Sequence, residues 1–384
     1  MKKAYLFLLI ALLGVSAIGL PLVYINYVAD DSPCDENFFF GVSFGLNTTR
    51  EAKILIDKVK GYTNLFLINS WDISTNETAL NEVCDYAAEA NLKFIVFFSF
   101  VSRIIYPWHQ TWLDTAKARW GDKFLGAYLF DEPGGKQIDT GGWNEDMVKI
   151  FKNASNYSEA ANLFINTISS INSTKDLKRR GILMFTSDYA LYWFDYLAGY
   201  DCVFVEFGWN HSRTQHIALG RGAANMQGKD WGVIITWTYE NPPYLENGTR
   251  LLEDMITAYR AGAKYLIIFN YPKINEYGIL TEEHFNAMKK FWNLIHASRK
   301  MLWKVKAEAV FVLPKDYGWG MRNPEDKIWG LWPPDSKALQ IWNNVNKLIE
   351  KYGLKLDIIY DDPKFNFEEK YAKVYFWNST INGF

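Results

Sequence analysis

The ten residues GAYLFDEPGG, numbered 126–135, join an apolar run to two adjacent carboxylates and a turn. Ala127 to Phe130 are apolar or aromatic, Asp131 and Glu132 follow at once, and a proline and two glycines come next. Asp, Pro and Gly are common in solvated turns, so one interpretation of the stretch is a surface turn. The other is a buried strand whose acidic tip lies at the carboxyl-terminal edge of a sheet.

Similar apolar or β-branched runs recur along the chain and alternate with amphipathic segments. Eight candidate strands result, at 38–45, 64–69, 93–100, 124–132, 182–188, 202–209, 231–240 and 265–272. Nearly continuous apolar strands separated by helices indicate a parallel sheet buried on both faces. Eight strand–helix units in about 260 residues predict a (β/α)₈ TIM barrel. A doubly wound open sheet is the alternative, but its glycine fingerprint is absent after the first run.

The pattern restarts on a smaller scale after residue 304. Two strand-like runs at 307–314 and 355–361 flank a loop rich in Trp, Gly and Pro and a helical segment at 336–353, and a further strand follows at 373–378. This arrangement predicts a small flavodoxin-like α/β unit docked on the barrel. We therefore expect three parts: an N-terminal segment (1–28), the barrel (29–304) and the α/β unit (305–384).

The N-terminal segment pairs two lysines with a long apolar stretch. Lys2 and Lys3 precede a run of about 20 apolar residues, which is long enough to cross a bilayer as a helix. The segment is either a cleaved signal peptide or a single uncleaved membrane anchor. Both alternatives predict that the body of the protein is extracellular or at the cell surface.

Glycosylation sequons support export independently. Eight Asn-x-Ser/Thr triplets occur, and their asparagines are predicted to carry glycans: Asn47, Asn76, Asn153, Asn156, Asn172, Asn210, Asn247 and Asn378. The three cysteines, Cys34, Cys84 and Cys202, are too few for a disulfide framework. One pair of cysteines could form a disulfide bond and leave one free thiol, and the sequence does not specify which pair. The sequence therefore predicts a glycoprotein without a disulfide framework.

The composition limits the classes of partner and ligand that the protein is expected to bind. The net charge of −2 and the absence of a basic block exclude an electrostatic nucleic-acid surface. The five histidines have no metal spacing, so neither a metal nor another cofactor is expected. The chain is unusually aromatic, with 16 Trp, 23 Tyr and 26 Phe. Most of these rings fill a core, but rings at strand ends would suit stacking on sugars.

In TIM barrels the active site lies at the carboxyl ends of the strands. The fourth candidate strand ends in Asp131 and Glu132, the fifth in Asp188 and the seventh in Glu240, while Glu206 lies within the sixth. Aromatic residues accompany these acids, and those predicted to bind substrate are Trp71, Trp108, Tyr189, Trp209, Trp237, Tyr239 and Tyr271. Asp188 and Glu206 are predicted to bind substrate as well, although Asp188 is also suited to cap the next helix. Carboxylates ringed by flat side chains are what cleavage of a glycosidic bond requires.

The acid-Glu-Pro sequence at the end of the fourth strand resembles barrel glycoside hydrolases whose fourth strand ends in Asn-Glu-Pro. The resemblance implies that Glu132 is the acid/base and Glu240 the nucleophile of a retaining enzyme. The α/β unit is similar to that of β-galactosidase-type members. Two positions depart from the pattern: Asp131 replaces the expected Asn, and Asn270-Tyr271 stands where a Trp is frequent.

An Asp-Glu pair at this place also resembles hexosaminidase-type barrels that use substrate-assisted catalysis. That resemblance keeps Glu132 as the acid/base and gives Asp131 the task of orienting the N-acetyl group of the substrate. We therefore predict an extracellular glycoside hydrolase acting on poly- or oligosaccharide or on cell-coat glycans. The alternative is a non-catalytic surface glycoprotein or envelope scaffold that keeps a glycosidase-like barrel.

Overall fold

The structure is a computed structural model that describes residues 37–98, 107–142, 145–297 and 303–381. Eight parallel strands close into a barrel in sequence order, which confirms the predicted TIM barrel. The closure is made where β1 pairs with β8. The strands are β1 (Phe39–Phe44), β2 (Leu65–Ile68), β3 (Lys93–Phe97), β4 (Phe124–Tyr128), β5 (Leu183–Asp188), β6 (Cys202–Phe207), β7 (Asp230–Ile235) and β8 (Tyr265–Ile268).

Helices occupy the connections between the strands. Four of them, α5 to α8, fill the long connection between β4 and β5, where a single helix would complete the unit. The helices are α1 (Thr49–Val59), α2 (Trp71–Ser74), α3 (Glu77–Glu89), α4 (His109–Trp120), α5 (Pro133–Thr140), α6 (Glu145–Phe151), α7 (Tyr157–Ser170), α8 (Asn172–Arg180), α9 (Tyr192–Ala198), α10 (Arg213–Gln227), α11 (Gly248–Arg260), α12 (Glu282–Ala297) and α13 (Ser336–Tyr352).

The barrel strands are buried on both faces and separate two hydrophobic cores. On β6, Cys202 and Phe204 belong to the core inside the barrel, whereas Val203 and Val205 belong to the core beneath the helices. Side chains alternate along a strand, so Glu206 takes the next inward position at the carboxyl end of β6. Glu206 is 4% exposed. The alternation thus places a carboxyl group at the top of a packed apolar interior.

Several strands are shorter than the sequence indicates. The fourth strand was predicted to run to residue 132, but β4 ends at Tyr128. The seventh was predicted to reach residue 240, but β7 ends at Ile235. The remaining residues of both runs form the loops that follow the strands. The third predicted strand extends to residues 99 and 100, which lie outside the described residues.

A second sheet follows the barrel. It contains β9 (Ala309–Leu313), β10 (Leu356–Tyr360) and β11 (Lys373–Phe376), all parallel, in the order β10-β9-β11. That order is the one in which the first three strands of a flavodoxin-like sheet are arranged. The boundaries of the three predicted parts of the chain stay a prediction, and the segment 1–28 lies outside the described residues.

Helix α10 connects the two sheets. It packs against β6 and β7 of the barrel and against β10 of the second sheet. Arg221 on this helix forms a buried ion pair with Asp357 on β10, with Nε 2.7 Å from Oδ1. The same guanidinium donates hydrogen bonds to the carbonyl groups of Leu354 and Leu356. The barrel and the second sheet therefore share one helix and a fully paired buried charge.

Candidate active site

The chain leaves β4 through two residues with left-handed backbone conformation. Phe130 has a φ of 52° and Glu132 a φ of 53°, a region that non-glycine residues adopt infrequently. The Glu132 amide donates to the Ser187 carbonyl at 3.1 Å, and the Thr186 hydroxyl donates to the Phe130 carbonyl at 2.6 Å. These bonds to β5 hold the irregular turn in place. The left-handed residues break the alternation of side chains, so Asp131 and Glu132 are no longer forced to opposite faces.

Helix α5 begins directly at this turn, with Glu132 as its N-cap residue and Pro133 at its first position. The amides of Gly134 and Gly135 donate to the Asp188 carboxylate at 2.5 and 2.7 Å. A Cβ atom on Gly135 would lie 2.1 Å from the Tyr189 ring. The two glycines of the motif thus allow the start of α5 to press against the end of β5.

Asp188 is buried and receives two further backbone hydrogen bonds, from the amides of Tyr189 and Ala190. Burial raises the pKa of Asp188 to about 7, although these four amide bonds act in the opposite direction. Asp195 on α9 is also buried beside it, and burial together with the charge of Asp188 raises the pKa of Asp195 well above its usual value. Protonation of Asp195 avoids the repulsion between two buried carboxylates. Helix α9 has Leu191 as its N-cap, so the predicted capping of this helix by Asp188 is wrong.

Glu132 and Glu206 both contact Ser187, through its carbonyl at 3.1 Å and its hydroxyl at 2.7 Å, and their carboxyl groups are interacting neighbours. Glu132 is the outer member, with 28% of its side chain exposed, and Glu206 is the buried one. Ser187 Oγ lies 2.7 Å from Glu206 Oε1, so a hydrogen bond joins the hydroxyl and the carboxyl group. Two neighbouring carboxylates repel, so the pair favours a state in which one of them is protonated.

Burial raises the pKa of Glu132 to about 7, and the negative charge of Asp131 adds to the effect. The Lys136 ammonium, 3.7 Å from Glu132 Oε2, opposes this shift. Burial and the charge of Glu132 raise the pKa of Glu206 well above its ordinary value. At neutral pH the pair therefore holds at least one proton. A carboxyl group that titrates near neutral pH is suited to general acid/base catalysis.

Asp131 lies beside this pair without joining it. The Tyr128 hydroxyl donates to Asp131 Oδ1 at 2.6 Å, and Lys136 Nζ lies 3.5 Å from Asp131 Oδ2. Tyr128 is the last residue of β4 and points into the barrel, where its ring packs against Phe97 and Phe204. The structure thus brings Asp131, Glu132 and Glu206 together.

Glu240 is placed elsewhere. It is exposed and lines a crevice of about 640 Å³ formed by the loop after β7 and the first turn of α12, together with Tyr239, Asn247, Glu283 and His284. Glu132, Glu206 and Asp131 do not line this crevice. The strand ends at Ile235, five residues before Glu240, so the loop 236–247 and not the strand determines the position of Glu240.

Three of the predicted aromatic residues form a continuous group at the ends of β6, β7 and β8. Trp237 is in the centre, with ring centroids 6.2 Å from Trp209 and 6.4 Å from Tyr271. Its indole Nε1 donates to the Tyr271 carbonyl at 2.7 Å, which fixes its orientation. Trp209 and Tyr271 are exposed. Flat apolar surfaces thus face solvent at the carboxyl ends of three adjacent strands.

The other predicted aromatic residues are dispersed. Trp71 is exposed at the start of α2, after β2, while Trp108 is half-buried against Trp112. Tyr189 is packed, because its hydroxyl donates to Asp139 and the Arg322 guanidinium lies over its ring. Tyr239 is exposed and donates to Glu246.

Sequence reasoning missed Tyr128 and Ser187, and it did not pair Glu206 with Glu132. A signal for Glu206 exists, because it follows Cys202 and Phe204 at alternate positions of an otherwise apolar strand. Ser187 occupies the equivalent inward position on β5, two residues after Phe185. A polar residue in register with inward-facing apolar ones is the pattern that could have identified both.

All eight sequon asparagines lie among the described residues, and every one is exposed. Cys84 and Cys202 are buried free thiols, and Cys34 lies outside the described residues. Within the described ranges, no cluster of His, Cys, Asp and Glu is suited to hold a metal ion. Across the same ranges, no helix combines the length and apolarity needed to cross a membrane.

Among known proteins, the chain is similar to solved structures but not to any family or curated protein by sequence. No protein-family model matches the chain, and no curated protein matches it by sequence. Among solved structures, a GH5_18 from Bifidobacterium longum subsp. infantis shares 9% identity over 89% of this chain and 97% of that one, with a TM-score of 0.51. A GH5_18 variant from Bifidobacterium longum subsp. longum, in complex with Manb1-4GlcNAc, shares 9% identity over 90% and 97%, with a TM-score of 0.52.

An alpha-L-fucosidase isoenzyme 2 from Paenibacillus thiaminolyticus is also similar, at 12% identity and a TM-score of 0.51. The match covers 88% of this chain and 59% of the fucosidase, so the chain spans little more than half the length of that enzyme. At these identities the comparisons establish the barrel fold, and function has to be argued from the site.

Proposed function

We propose that the protein is a retaining glycoside hydrolase whose reacting groups are Glu132 and Glu206. The observation that carries the proposal is that Glu132 and Glu206 are interacting neighbours at the carboxyl ends of β4 and β6, where both contact Ser187. Retaining enzymes hold their two carboxyl groups about 5–5.5 Å apart, whereas inverting ones separate them by about 6.5–9.5 Å to admit a water molecule. Carboxyl groups close enough to shift each other's pKa favour the shorter, retaining separation.

The two carboxyl groups differ in ways that assign their roles. Glu132 is the outer group with a pKa near neutrality, so it protonates the leaving oxygen and later takes a proton from water. Glu206 lies deeper and attacks the anomeric carbon as the carboxylate. This assignment keeps the predicted role of Glu132 and gives the predicted role of Glu240 to Glu206. Glu240, in its separate crevice, is the natural control.

The aromatic group of Trp209, Trp237 and Tyr271 supports a carbohydrate substrate, because flat rings stack on the apolar faces of sugars. Trp209 follows Glu206 by three residues, so the stacking surface begins at the same strand end as the proposed nucleophile. One of the similar structures is a complex with the disaccharide Manb1-4GlcNAc, which agrees with a glycan ligand. Asp188 is too buried to contact a ligand, and we assign it the positioning of the turn that carries Glu132.

The test is hydrolysis of a panel of aryl glycosides, including N-acetylated ones, by the purified chain. We expect Glu132→Gln and Glu206→Gln each to lower kcat by about 10²- to 10⁴-fold, the range for loss of a general acid or its partner. Glu240→Gln is expected to stay within about threefold of the wild type. Loss of activity in Glu240→Gln with retention in Glu206→Gln would return the nucleophile to Glu240. A panel without any turnover would favour the surface scaffold.

We also propose that the protein is an exported glycoprotein. The exposure of all eight sequon asparagines supports this, since the glycan must be attached at a surface position. Expression in a glycosylating host, followed by enzymatic removal of the glycans, converts each occupied Asn to Asp. Peptide mass spectrometry should detect this conversion at several of the eight positions. Unmodified asparagine at all of them would refute glycosylation.

A further inference from the structure

Four side-chain groups form a continuous path through the floor of the barrel mouth. Tyr128 Oη lies 2.6 Å from Asp131 Oδ1 and 2.8 Å from Ser187 Oγ, and Ser187 Oγ lies 2.7 Å from Glu206 Oε1. The path begins at Asp131, whose side chain is 47% exposed, and ends at the buried Glu206. It therefore connects solvent with the inner member of the carboxyl pair.

The number of hydrogens along this path is restricted. Tyr128 and Ser187 supply one hydroxyl hydrogen each, yet three oxygen–oxygen contacts have to be bridged. The third hydrogen must come from a carboxyl group at one end. When Asp131 is ionised, Glu206 donates to Ser187, Ser187 to Tyr128 and Tyr128 to Asp131. When Asp131 is protonated, every bond reverses and Ser187 donates to the Glu206 carboxylate.

The two arrangements differ by one proton, which moves between Asp131 and Glu206. Each of three hydrogens shifts along its own hydrogen bond, so no atom is gained or lost and no other reactant is needed. Burial and the charge of Asp131 raise the pKa of Tyr128 well above its usual value, which keeps its hydroxyl protonated in both arrangements. The Ser187 amide donates to Tyr128 Oη at 3.0 Å and holds the hydroxyl in line.

We infer that Tyr128 and Ser187 form a proton path between Asp131 and Glu206 that determines whether Glu206 is protonated or ionised. Tyr128, Ser187 and Asp131 are then positioning residues, and only the pair contacts the reacting atoms. The catalytic use of the path rests on the proposed function, whereas the path itself does not. Its outer end at Asp131 gives Glu206 an exchange route that does not pass through Glu132.

The charged groups facing the path define its resting arrangement. Glu206 is surrounded by the carboxyl groups of Glu132, Asp131 and Asp188. Lys136 is the cation beside them, 3.5 Å from Asp131 and 3.7 Å from Glu132. Burial and the neighbouring carboxyl groups raise the pKa of Glu206, so the resting proton lies on Glu206. Reversal of the path moves that proton outward and leaves Glu206 as the carboxylate that nucleophilic attack requires.

The experiment is a carbon-13 NMR titration of the full chain with labelled glutamate side chains. Glu206→Gln and Glu132→Gln identify the two signals, and the titration is repeated in Tyr128→Phe and Ser187→Ala. In Tyr128→Phe the Ser187 hydroxyl has only Glu206 to donate to, so the Glu206 titration should move to lower pH. In Ser187→Ala the carboxylate loses its donor, so the titration should move to higher pH. Each shift should be about half a pH unit, the scale of one hydrogen bond.

The matched control is Tyr265→Phe, which removes a hydroxyl from the same barrel interior and should leave the Glu206 titration unchanged. Shifts in opposite directions support the path, because general loosening of the core would move both variants the same way. Shifts in one direction, or none, overturn it. If Ser187→Ala does not fold, an unchanged or raised Glu206 titration in Tyr128→Phe overturns it alone. The titration uses no substrate, so opposite shifts in a chain that hydrolyses no glycoside would refute the proposed function and keep the path.

Discussion

Glu132 combines two features that are each unfavourable in isolation. Its backbone is left-handed, and its carboxyl group is partly buried next to two others. Strained backbone and desolvated acids persist where the surrounding structure fixes them, and they concentrate at functional sites. The fixing contacts come from β5, through the carbonyl of Ser187 and the carboxylate of Asp188. The site is therefore held by the strand next to the one that carries its acid.

Stability should depend on pH through Glu132. Its pKa of about 7 in the folded chain exceeds the ordinary 4.5, so folding takes up a proton between these values. The free energy of unfolding therefore falls as pH rises through this window. Glu132→Gln removes the effect, and we expect it to match the wild type near pH 4 and to exceed it near pH 8 by on the order of 2 kcal/mol.

Thermal unfolding at both pH values measures this difference. The exposed Glu240→Gln serves as the control and should track the wild type throughout. A gap between Glu132→Gln and the wild type that does not widen toward pH 8 would contradict the shifted pKa.

Asp188 offers a second test at a single residue. Its two oxygens accept four backbone amides, and an asparagine has only one oxygen to offer them. In Asp188→Asn the side-chain NH2 group would face the backbone N–H of Gly134, so two hydrogen-bond donors would oppose each other. We expect Asp188→Asn to lower the free energy of unfolding by about 1–3 kcal/mol, measured by urea titration, whereas the exposed Asp72→Asn should have little effect. Equal stability of the two variants would show that the amide cluster contributes nothing.

Among elements, the strands are what the sequence predicts best. Their apolar runs and the helices between them specify the closed barrel, and alternation within β6 is sufficient to point Glu206 inward. The turn after β4 could not be predicted, because left-handed φ at Phe130 and Glu132 contradicts the preference of both residue types. That turn depends on hydrogen bonds from β5, which is more than 50 residues later in the sequence.

The first turn of α5 should not tolerate a side chain larger than that of glycine at residue 135. A methyl group on Gly135 would collide with the Tyr189 ring, which Asp139 and Arg322 hold in place. Gly135→Ala should therefore reduce stability by about 1–3 kcal/mol and lower kcat together with it. Gly61→Ala is the control, since its new methyl group meets no atom within 4 Å. Chemical denaturation of both variants would reveal the difference, and a neutral Gly135→Ala would show that the ring moves aside.

At the scale of the molecule, the buried ion pair between Arg221 and Asp357 should dominate the contact between barrel and second sheet. Both side chains are almost fully buried, and removal of one partner leaves an uncompensated charge. We expect Arg221→Met to cost about 3–5 kcal/mol in denaturant unfolding. Arg250→Met, which breaks an exposed pair with Glu253, should cost less than about 1 kcal/mol. Similar losses in the two variants would contradict this difference.

At the scale of the molecule, the sequence predicts the sheets but not the assembly of the candidate site. The second sheet and its strand order follow from the same apolar pattern as the barrel, whereas the assembly of the site does not. Glu132 and Glu240 both follow barrel strands, and only Glu132 reaches the mouth beside a second buried acid. The paths of loops depend on contacts among distant residues, such as the crevice with α12 that holds Glu240. Strands can be located from the local sequence pattern, whereas the paths of loops cannot, because they depend on contacts with residues far away in the sequence.

Helix α10 packs against both the barrel and the second sheet, and this has a consequence for the evolution of the protein. A Cβ atom on Gly222 would lie 2.5 Å from the Ile358 carbonyl, so the helix and β10 are in backbone contact. A barrel exchanged by recombination without its second sheet would expose the face of α10 that packs against β10 and would leave Arg221 without its carboxylate. A barrel that lost the second sheet in evolution would therefore be destabilised unless the sequence of α10 changed as well.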